Sequence, residues 1–326
     1  MKFTQTTLTI ALGAIVSASP LAATAQPAYP SKSIVIVLPL GAGSAADVAV
    51  RTLSERLSTA LKQQVVVENQ PGAAGLIGAE RVARAAPDGY TLTALNSSIM
   101  ATLPHIYAKV GYDSFKSFAP ITMLVTIPTV LVVHPSLPAK SIKELTALAQ
   151  SRPGQVLYSS GGVGSPQHLA MELFKNTAGV NLLHVPYKSA PAATLDVVGG
   201  HVQAMFNGLS SPLPHIKSNR LRALAMAGAK RSSLLPDVPT VQEAGVRGYV
   251  YEQWLALLSP ARTPADIITR LNTESVKILG MQNVRDILTQ QALDVQGGPA
   301  EDVTRALTTD YPRMAQIIKQ VGIKPE

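Results

Sequence analysis

Short apolar runs alternate along this chain with longer segments whose apolar residues recur every three or four positions. The run Ile34–Leu38 has the length and continuity of a strand buried on both faces, and segment 46–62 places its apolar residues on one face of a helix. The alternation continues with strands at 65–68 and 91–95 and a helix at 76–86. This order predicts a parallel sheet whose strands are joined by right-handed helical crossovers.

A second series of strands and helices begins near Pro128. A strand at 129–133 is followed by a helix at 141–150, which Ser141 is predicted to cap with Glu144 completing a capping box. The pattern then predicts a helix at 166–178 and strands at 155–159, 182–185, 202–206 and 221–227.

From residue 228 onward the pattern is mainly helical. Helices are predicted at 264–279, 283–291 and 299–321, and Pro312 is predicted to kink or divide the last of them. The C-terminal helices most simply return to the first series of strands. We therefore expect two domains, one comprising residues 26–127 together with 228–326 and the other comprising residues 128–227.

The N-terminal residues predict an export signal. Lys2 precedes the apolar stretch Leu8–Val16, and Ala23-Thr24-Ala25 matches the A-x-A cleavage pattern. The apolar stretch is too short to span a bilayer comfortably, so we interpret residues 1–25 as a cleaved signal peptide, with a retained membrane anchor as the alternative. The signal has neither a lipobox cysteine nor paired arginines, which is typical of general secretion.

Composition narrows the function classes. The chain has 28 basic and 20 acidic residues, and its basic residues are dispersed, which argues against nucleic-acid binding. The positive excess either attracts anionic solutes or simply aids solubility. Because the chain has no cysteine, disulfides, thiol catalysis and cysteine-bound metals are excluded. The six histidines show no spacing typical of a metal site, so neither a metal nor a cofactor is expected.

Two glycine- and serine-rich loops each connect a strand to a helix. The first spans Pro39–Asp47 and the second spans Ser159–Pro166. Such loops place unpaired backbone N–H groups at a helix N-terminus, where they favour an anion. Ligands of open α/β sheets bind at the carboxyl ends of strands, so these loops, together with those at 96–98 and 187–189, predict one anion-binding cleft. Lys188 is its best-placed cation.

The first loop also matches a loose dinucleotide fingerprint. Gly41, Gly43 and Ala46 have the spacing G-x-G-x-x-A, and Glu68 ends the next strand, where an acid for the ribose is expected. Two observations count against a dinucleotide. The export signal directs the chain away from soluble dinucleotides, and Asp47 would repel a pyrophosphate. Asp47 is instead expected to favour the helix dipole and to hold the loop.

Motifs of common hydrolases and nucleotide-binding enzymes are missing from the sequence. It contains no G-x-S-x-G, G-x-x-x-x-G-K-S/T or H-E-x-x-H pattern. Ser165 and His168 are close in sequence, but this alone is no evidence for a catalytic dyad. Trp254, the single tryptophan, is expected in the core, with the cleft wall as the alternative.

Several sequence blocks together resemble one family. The blocks Glu68–Ala73, which ends the matching stretch Val65–Ala73, and Ala85–Leu92 are specific when taken together. The agreement extends to Tyr29–Asp47, Ser159–Leu169, His184–Lys188, Leu221–Ala225 and Leu235–Thr240. With these blocks the chain resembles the Bug/TctC-type solute receptors of tripartite tricarboxylate transport systems over nearly its whole mature length.

The resemblance implies a periplasmic-binding-protein fold of type II (Venus flytrap), which is α/β with two mostly parallel sheets and a ligand cleft between two lobes. It also implies a periplasmic receptor without catalytic activity that closes on a small carboxylate and presents it to membrane transporter subunits. Carried onto this sequence, the family's ligand-binding residues are Gly43, Ser44, Ala45, Asp47, Ser97, Ser160, Gly164, Ser165 and His168.

Two positions depart from the family's common pattern. Ser44 stands where a second glycine is common, and Asn207 stands where an aspartate is common. Asn207 removes a negative charge, so ligands that carry a cationic amine become less favoured. Lys188 and Asn207 complete the candidate ligand-binding residues.

Two alternative functions stay open. An exported hydrolase acting on a carboxylate or amide would use Ser165 with His168. A receptor that signals through a sensor kinase would have the same folded chain. The leading expectation is a monomeric solute-binding protein outside the cytoplasm, with no cofactor, metal or nucleic-acid partner.

Overall fold

A computed structural model describes residues 1–2 and 29–323 of the chain. Residues 3–25 of the predicted signal peptide, and its predicted cleavage site, lie outside these ranges. The strands are Ile34–Leu38 (β1), Val65–Asn69 (β2), Thr91–Asn96 (β3), Phe118–Thr126 (β4), Thr129–Val133 (β5), Leu157–Ser160 (β6), Leu183–Pro186 (β7), Ala204–Gly208 (β8), Arg222–Met226 (β9), Trp254–Pro260 (β10) and Asp294–Val295 (β11).

Helices connect and cover these strands. They are Ala45–Leu61 (α1), Leu76–Ala83 (α2), Ser97–Ala101 (α3), Leu103–Ile106 (α4), Ile142–Ser151 (α5), Pro166–Ala178 (α6), Ala190–Val198 (α7), Leu213–Lys217 (α8), Ala265–Leu279 (α9), Gln282–Gln290 (α10) and Glu301–Val321 (α11). The helix at 166–178 begins and ends where the sequence predicts. Helix α11 continues through Pro312 and is not divided there, and buried residues on both sides of the proline hold it against the core.

The strands form two sheets, and we call the bodies around them lobe 1 and lobe 2. The lobe 1 sheet has the order β11-β4-β10-β3-β1-β2, and the lobe 2 sheet has the order β7-β6-β8-β5-β9. The predicted two-lobe α/β fold is confirmed, but both sheets are mixed rather than mostly parallel. Strands β1, β2 and β3 pair in parallel, as do β6, β7 and β8.

The antiparallel pairs arise where the chain passes between the lobes. Strand β4 is separated from β5 by only Ile127 and Pro128, and β10 follows a long segment that returns from lobe 2. Strand β10 pairs antiparallel with both β3 and β4, and β5 pairs antiparallel with both β8 and β9.

Each sheet has its own buried apolar core. In lobe 1, Ile36, Leu92 and Leu257 belong to one cluster beneath α1 and α9. Trp254 lies in the core as expected, only 6% exposed, and its indole N–H donates to Asp310 Oδ2 over 2.7 Å.

The segment after β9 packs against lobe 2. Val241, Val246 and Tyr249 belong to the same apolar cluster as the lobe 2 strands, and the Tyr249 hydroxyl donates to the Ala170 carbonyl over 3.0 Å. The carbonyl of Met226, at the end of β9, accepts from the Val241 N–H over 2.9 Å. This packing bears on where one lobe ends and the other begins along the chain.

Candidate functional site

A cavity opens between the two lobes, at the carboxyl ends of their parallel strands. The space free of protein atoms in and around it amounts to about 620 Å³, part of which is open solvent. Lobe 1 contributes Pro39, Leu40, Gly41, Ser44, Ala45, Ala46, Pro71, Gly72, Ala74, Gly75 and Asn96. Lobe 2 contributes Gly161, Ser165, Pro166, Gln167, Lys188, Ser189, Ala190, Asn207 and Gly208, and the connecting segments add Ile127 and Gln253.

The lobe 1 wall is the first turn of α1. Ser44 caps this helix, because its Oγ accepts from the Asp47 N–H over 3.2 Å. The N–H groups of Ala45 and Ala46 lie in the first turn, where an α-helix offers them no carbonyl partner. Since both residues line the cavity, the positive end of the α1 dipole is available to an anionic ligand.

The lobe 2 wall combines the first turns of α6 and α7. Ser165 Oγ accepts from the His168 N–H over 3.4 Å, and Ser189 Oγ accepts from the Ala192 N–H over 3.5 Å. Both capping serines line the cavity, as does Lys188. Lys188 is the one residue with a charged side chain among the described residues that line the cavity. Three helix N-termini and a lysine therefore give the cavity a positive character.

Asp47 lies behind the α1 wall and holds the first loop in place. Its carboxylate accepts from the Gly43 N–H over 3.0 Å, from Arg51 Nε over 3.0 Å and from Asn69 Nδ2 over 2.8 Å. Burial by itself raises the pKa of Asp47, but these hydrogen bonds and the charge of Arg51 outweigh it and lower the pKa. The carboxylate thus ties down the loop, as expected from the sequence.

A buried histidine pair supports the second loop. His168 Nδ1 accepts from the Gly164 N–H over 3.1 Å, and the His168 ring stacks on His184 with centroids 4.2 Å apart. His184 Nε2 in turn lies 2.6 Å from Ser160 Oγ. Burial, and the charge of Lys175, lower the pKa of His168 to about 4. Burial, and the neighbouring His168, lower the pKa of His184 to about 3. Both rings are neutral at pH 7.

The predicted site residues divide into two groups in the structure. Those that line the cavity are Ser44, Ala45, Ser165, Lys188 and Asn207. Those that do not line it are Gly43, Asp47, Ser97, Ser160, Gly164 and His168. Most of the second group belong to the two loop supports just described. The residues implied by the family resemblance therefore include both the cavity wall and the supports behind it.

The hydroxyl of Ser165 does not pair with the imidazole of His168. Its Oγ accepts from the His168 backbone N–H, while the ring nitrogen Nδ1 accepts from Gly164. A serine nucleophile needs a base within reach of its hydroxyl proton. The Ser165–His168 arrangement is that of a helix cap and a loop support, and not that of a catalytic dyad.

The sequence reasoning missed several cavity residues. Gln167 and Gln253 gave no signal, because isolated glutamines match no motif. Ser189 lay within a predicted loop, and Pro71–Gly75 lay partly within a block that resembles the family. Both could therefore have been predicted as cavity residues. Ser98 was also passed over as a lobe contact, although its Oγ donates to the Gly164 carbonyl of lobe 2 over 2.5 Å.

Replacing Gly164 with alanine is expected to lower the free energy of unfolding by about 2 kcal/mol. Its φ is +74°, and an added Cβ would lie 2.6 Å from Leu103 Cδ2 and 3.1 Å from Ile106 Cδ1. Gly43→Ala is the matched control, because Gly43 has a φ of +75° with no atom within 4 Å of an added Cβ. Urea denaturation measures both. Equal losses in the two variants would contradict the close approach of α4.

Two further features of the described ranges bear on function. No group of three or more histidine, aspartate and glutamate side chains there is arranged to hold a metal ion. None of the helices in these ranges combines the length and hydropathy needed to cross a membrane.

Two lobes with a cavity between them, walled by helix N-termini, define a solute-binding protein. The family is given by a match to the model described as "Tripartite tricarboxylate transporter family receptor", which covers residues 49–323. The chain belongs to this family.

Two curated relatives match over most of their length. The chain is 34% identical over 324 residues to protein BugT of Bordetella pertussis, covering 98% of this chain and 99% of that one. It is 35% identical over 292 residues to a protein encoded in the tcbD-tcbE intergenic region of a Pseudomonas species, covering 89% and 87%.

Three solved structures share the fold. Rpa4515 of R. palustris, solved with adipate, has a TM-score of 0.89 at 33% identity, covering 91% of this chain and 100% of that one. The periplasmic binding protein BugD has a TM-score of 0.87 at 30% identity, with the same coverage. MatC of Rhodopseudomonas palustris, solved with bound malate, has a TM-score of 0.85 at 26% identity, covering 89% and 100%.

The family membership and the fold agree on the class of activity. The protein is a periplasmic solute-binding receptor that works with a membrane transporter, and it is not an enzyme. The hydrolase alternative is therefore wrong, in agreement with the separation of the Ser165 hydroxyl from the His168 ring.

Proposed function

We propose that this receptor captures a small carboxylate in the cavity between its lobes. The observation that carries the proposal is the convergence of the first turns of α1, α6 and α7, together with Lys188, on one cavity. Backbone N–H groups at helix N-termini favour a carboxylate, and each charge-assisted hydrogen bond contributes about 1.5–3 kcal/mol. The adipate and malate bound by Rpa4515 and MatC are consistent with this ligand class.

Closure around the ligand is expected to follow a hinge between the lobes. We assign residues 29–127 and 252–323 to lobe 1 and residues 128–251 to lobe 2. The segment 228–251 joins lobe 2, where the sequence placed it with lobe 1, because it packs against the lobe 2 core. The hinge then lies where the Ile127 N–H donates to the Gln253 carbonyl over 2.9 Å.

The receptor is proposed to be exported, with its signal peptide cleaved after Ala25. In the periplasm it would pass its ligand to transporter subunits. A signalling role through a sensor kinase stays the alternative, because it would use the same folded chain. N-terminal sequencing of protein from the periplasm would test the cleavage site.

Thermal unfolding against a panel of mono-, di- and tricarboxylates tests the ligand class. Binding to the folded state alone stabilises it, by about 2.7 kcal/mol at a ligand concentration one hundred times Kd. We expect at least one acid of the panel to raise Tm. NAD and nucleotides serve as controls, because the first loop matches a dinucleotide fingerprint. Stabilisation by nucleotides with none by any acid would contradict the proposal.

Replacing Lys188 with methionine is expected to weaken carboxylate binding roughly tenfold, which corresponds to about 1.4 kcal/mol. Methionine keeps most of the apolar stem and removes the one charged side chain of the cavity wall. Lys217→Met is the control, because Lys217 is an exposed lysine of lobe 2 outside the cavity. Isothermal titration calorimetry measures Kd for each variant. An unchanged Kd for Lys188→Met would show that Lys188 does not contribute to ligand binding.

A further inference from the structure

Asn207 has one orientation that its surroundings allow. It lies in β8, is 3% exposed, and its Oδ1 lies 2.8 Å from the Gly208 backbone N–H. A backbone N–H can only donate, so the atom that faces it must be the amide oxygen of Asn207. Its Nδ2 then points the other way and donates to Thr194 Oγ1 over 2.9 Å, and the Thr194 hydroxyl donates to the Ala190 carbonyl over 2.9 Å.

The orientation of Asn207 determines that of Gln167. The two side chains meet over 3.1 Å, and Asn207 presents its oxygen to this contact as well. Gln167 must therefore direct its Nε2 toward Asn207. Its Oε1 is the atom that remains, and it accepts no hydrogen bond from the residues that the structure describes.

This free oxygen lies at the cavity wall. Gln167 is 8% exposed and lines the cavity together with Gly161, and a Cβ added to Gly161 would lie 3.2 Å from Gln167 Oε1. Solvent reaches this oxygen through the cavity, and a ligand that displaces the solvent must donate a hydrogen bond to the oxygen or leave it unpaired at a cost. A carboxylate at the same point would instead place one acceptor oxygen next to another, with no proton to form a hydrogen bond.

We propose that Gln167 Oε1 determines specificity by accepting a hydrogen bond from a neutral donor group on the bound acid, such as a hydroxyl or a carboxamide. This inference rests on the proposed carboxylate-binding function and adds a second recognition point to it. A site built to pair with a donor rejects analogues that lack one.

The charges around the cavity favour a neutral donor over an ammonium group. Among the described residues that line the cavity none is acidic, because position 207 is an asparagine. Lys188 lies on the same lobe 2 wall and would repel a second cation. The ligand is accordingly a small acid whose second polar group is uncharged and donates a hydrogen bond.

Matched ligand pairs test this inference. The carboxamide and the methyl ester of a dicarboxylic acid carry the same single charge and are similar in size, but only the carboxamide donates. Isothermal titration calorimetry would measure Kd for the monoamides and monomethyl esters of succinate, glutarate and adipate. We expect the monoamide of the best-fitting acid to bind at least tenfold more tightly than its ester.

Variants of Gln167 assign the preference to its side chain. Gln167→Met preserves the length of the side chain and removes the acceptor, so the amide-to-ester ratio should fall to about one. Gln150→Met, at an exposed glutamine of α5, should leave the ratio unchanged. Asn207→Asp still accepts from Gly208 and Gln167, so the preference for the amide should persist.

Each outcome decides the inference. Equal or tighter binding of the esters to the unmodified protein overturns it and leaves the carboxylate function standing. A preference that survives Gln167→Met also overturns it. If that variant does not fold, the ratio measured on the unmodified protein decides. If none of the acids binds at all, the proposed function fails and this inference fails with it.

Discussion

Replacing Asp47 with alanine is expected to lower the free energy of unfolding by about 3 kcal/mol and to abolish measurable ligand binding at concentrations that saturate the unmodified protein. Asp47 is only 5% exposed and accepts from three different groups. Its removal leaves the Gly43 N–H without an acceptor and Arg51 without its counter-ion, while Asn69 Nδ2 keeps only the Leu40 carbonyl as its acceptor. A hydrogen bond to a charged acceptor contributes about 1.5–3 kcal/mol, and the exposed Gly43 and the half-exposed Arg51 recover part of their loss by hydration.

The loss of binding follows from the position of this carboxylate. Asp47 does not line the cavity, but it connects the first loop to the second strand, through Gly43 on one side and Asn69 on the other. Without it, the N–H groups of Ala45 and Ala46 would no longer be held toward the ligand. Preorganised donors bind tightly because no ordering cost is added at the moment of binding.

Urea denaturation and calorimetry of Asp47→Ala test both effects. Glu55→Ala is the matched control, since Glu55 is an exposed acid of the same helix whose ion pair with Arg56 is expected to contribute less than 1 kcal/mol. Asp47→Asn separates charge from shape, because its amide still offers one acceptor. If Asp47→Ala binds normally while being destabilised, the carboxylate stabilises the fold alone.

Local signals in the sequence were sufficient to predict much of this fold. Ser141 caps α5, and its Oγ accepts from the Glu144 N–H over 3.2 Å, because both partners lie within one helical turn. The Glu144 carboxylate departs from the predicted capping box only in accepting from the Lys140 N–H rather than from the Ser141 N–H. Both glycine loops likewise follow from short-range patterns of strand, small residues and helix.

Strands β4 and β10 could not be predicted in the same way. Strand β10 begins with the apolar run at 254–258, and such a run fits a buried strand and a buried helix equally well. It forms a strand because it pairs with the edges of β3 and β4, and both of these strands are distant from it in sequence. Pro120 within β4 weakened the strand pattern there.

The division of the site into wall and support was also beyond the sequence. Motif matching marks Asp47 and His168 with the same weight as Ser44 and Ser165, because all four lie in the matched loops. Which of them faces the ligand depends on side-chain direction after both loops have folded. The Gln167–Asn207 contact spans 40 residues and joins α6 to β8, and Gln167 does not stand out in the sequence without this partner.

Acidification from pH 7 to pH 5 is expected to destabilise the protein through the buried histidine pair that supports the second loop. An unfolded histidine has a pKa of about 6.5, whereas burial lowers the pKa of His168 to about 4 and that of His184 to about 3. Between these values the unfolded state binds protons that the folded state does not. Stability is therefore complete above about pH 7 and is lost as the pH falls, by about 2 kcal/mol for His168 between pH 7 and pH 5 and by somewhat less for the partly buried His184.

Protonation of His168 in the folded protein would act on the ligand site. A proton on His168 Nδ1 would face the Gly164 N–H, which now donates to that nitrogen over 3.1 Å, and two donors cannot bond to each other. The second loop would then lose its support, but the folded protein takes up this proton only near pH 4, so the fall in carboxylate affinity should begin at lower pH than the loss of stability. Lys175, which already lowers the pKa of His168, adds a repulsive charge to this state.

Variants that cannot titrate isolate the contribution of the pair. In His168→Gln the side chain keeps an acceptor for the Gly164 N–H but binds no proton, so urea denaturation at pH 7 and pH 5 should show about 2 kcal/mol less pH dependence than the unmodified protein. His201→Gln is the control, because the His201 side chain is 75% exposed and should leave the pH dependence nearly unchanged. An identical slope in His168→Gln and in the unmodified protein would contradict a buried, neutral His168. In His168→Gln, the pH dependence of stability could be reduced while ligand affinity still falls at pH 5. Groups outside this loop would then cause the fall in affinity.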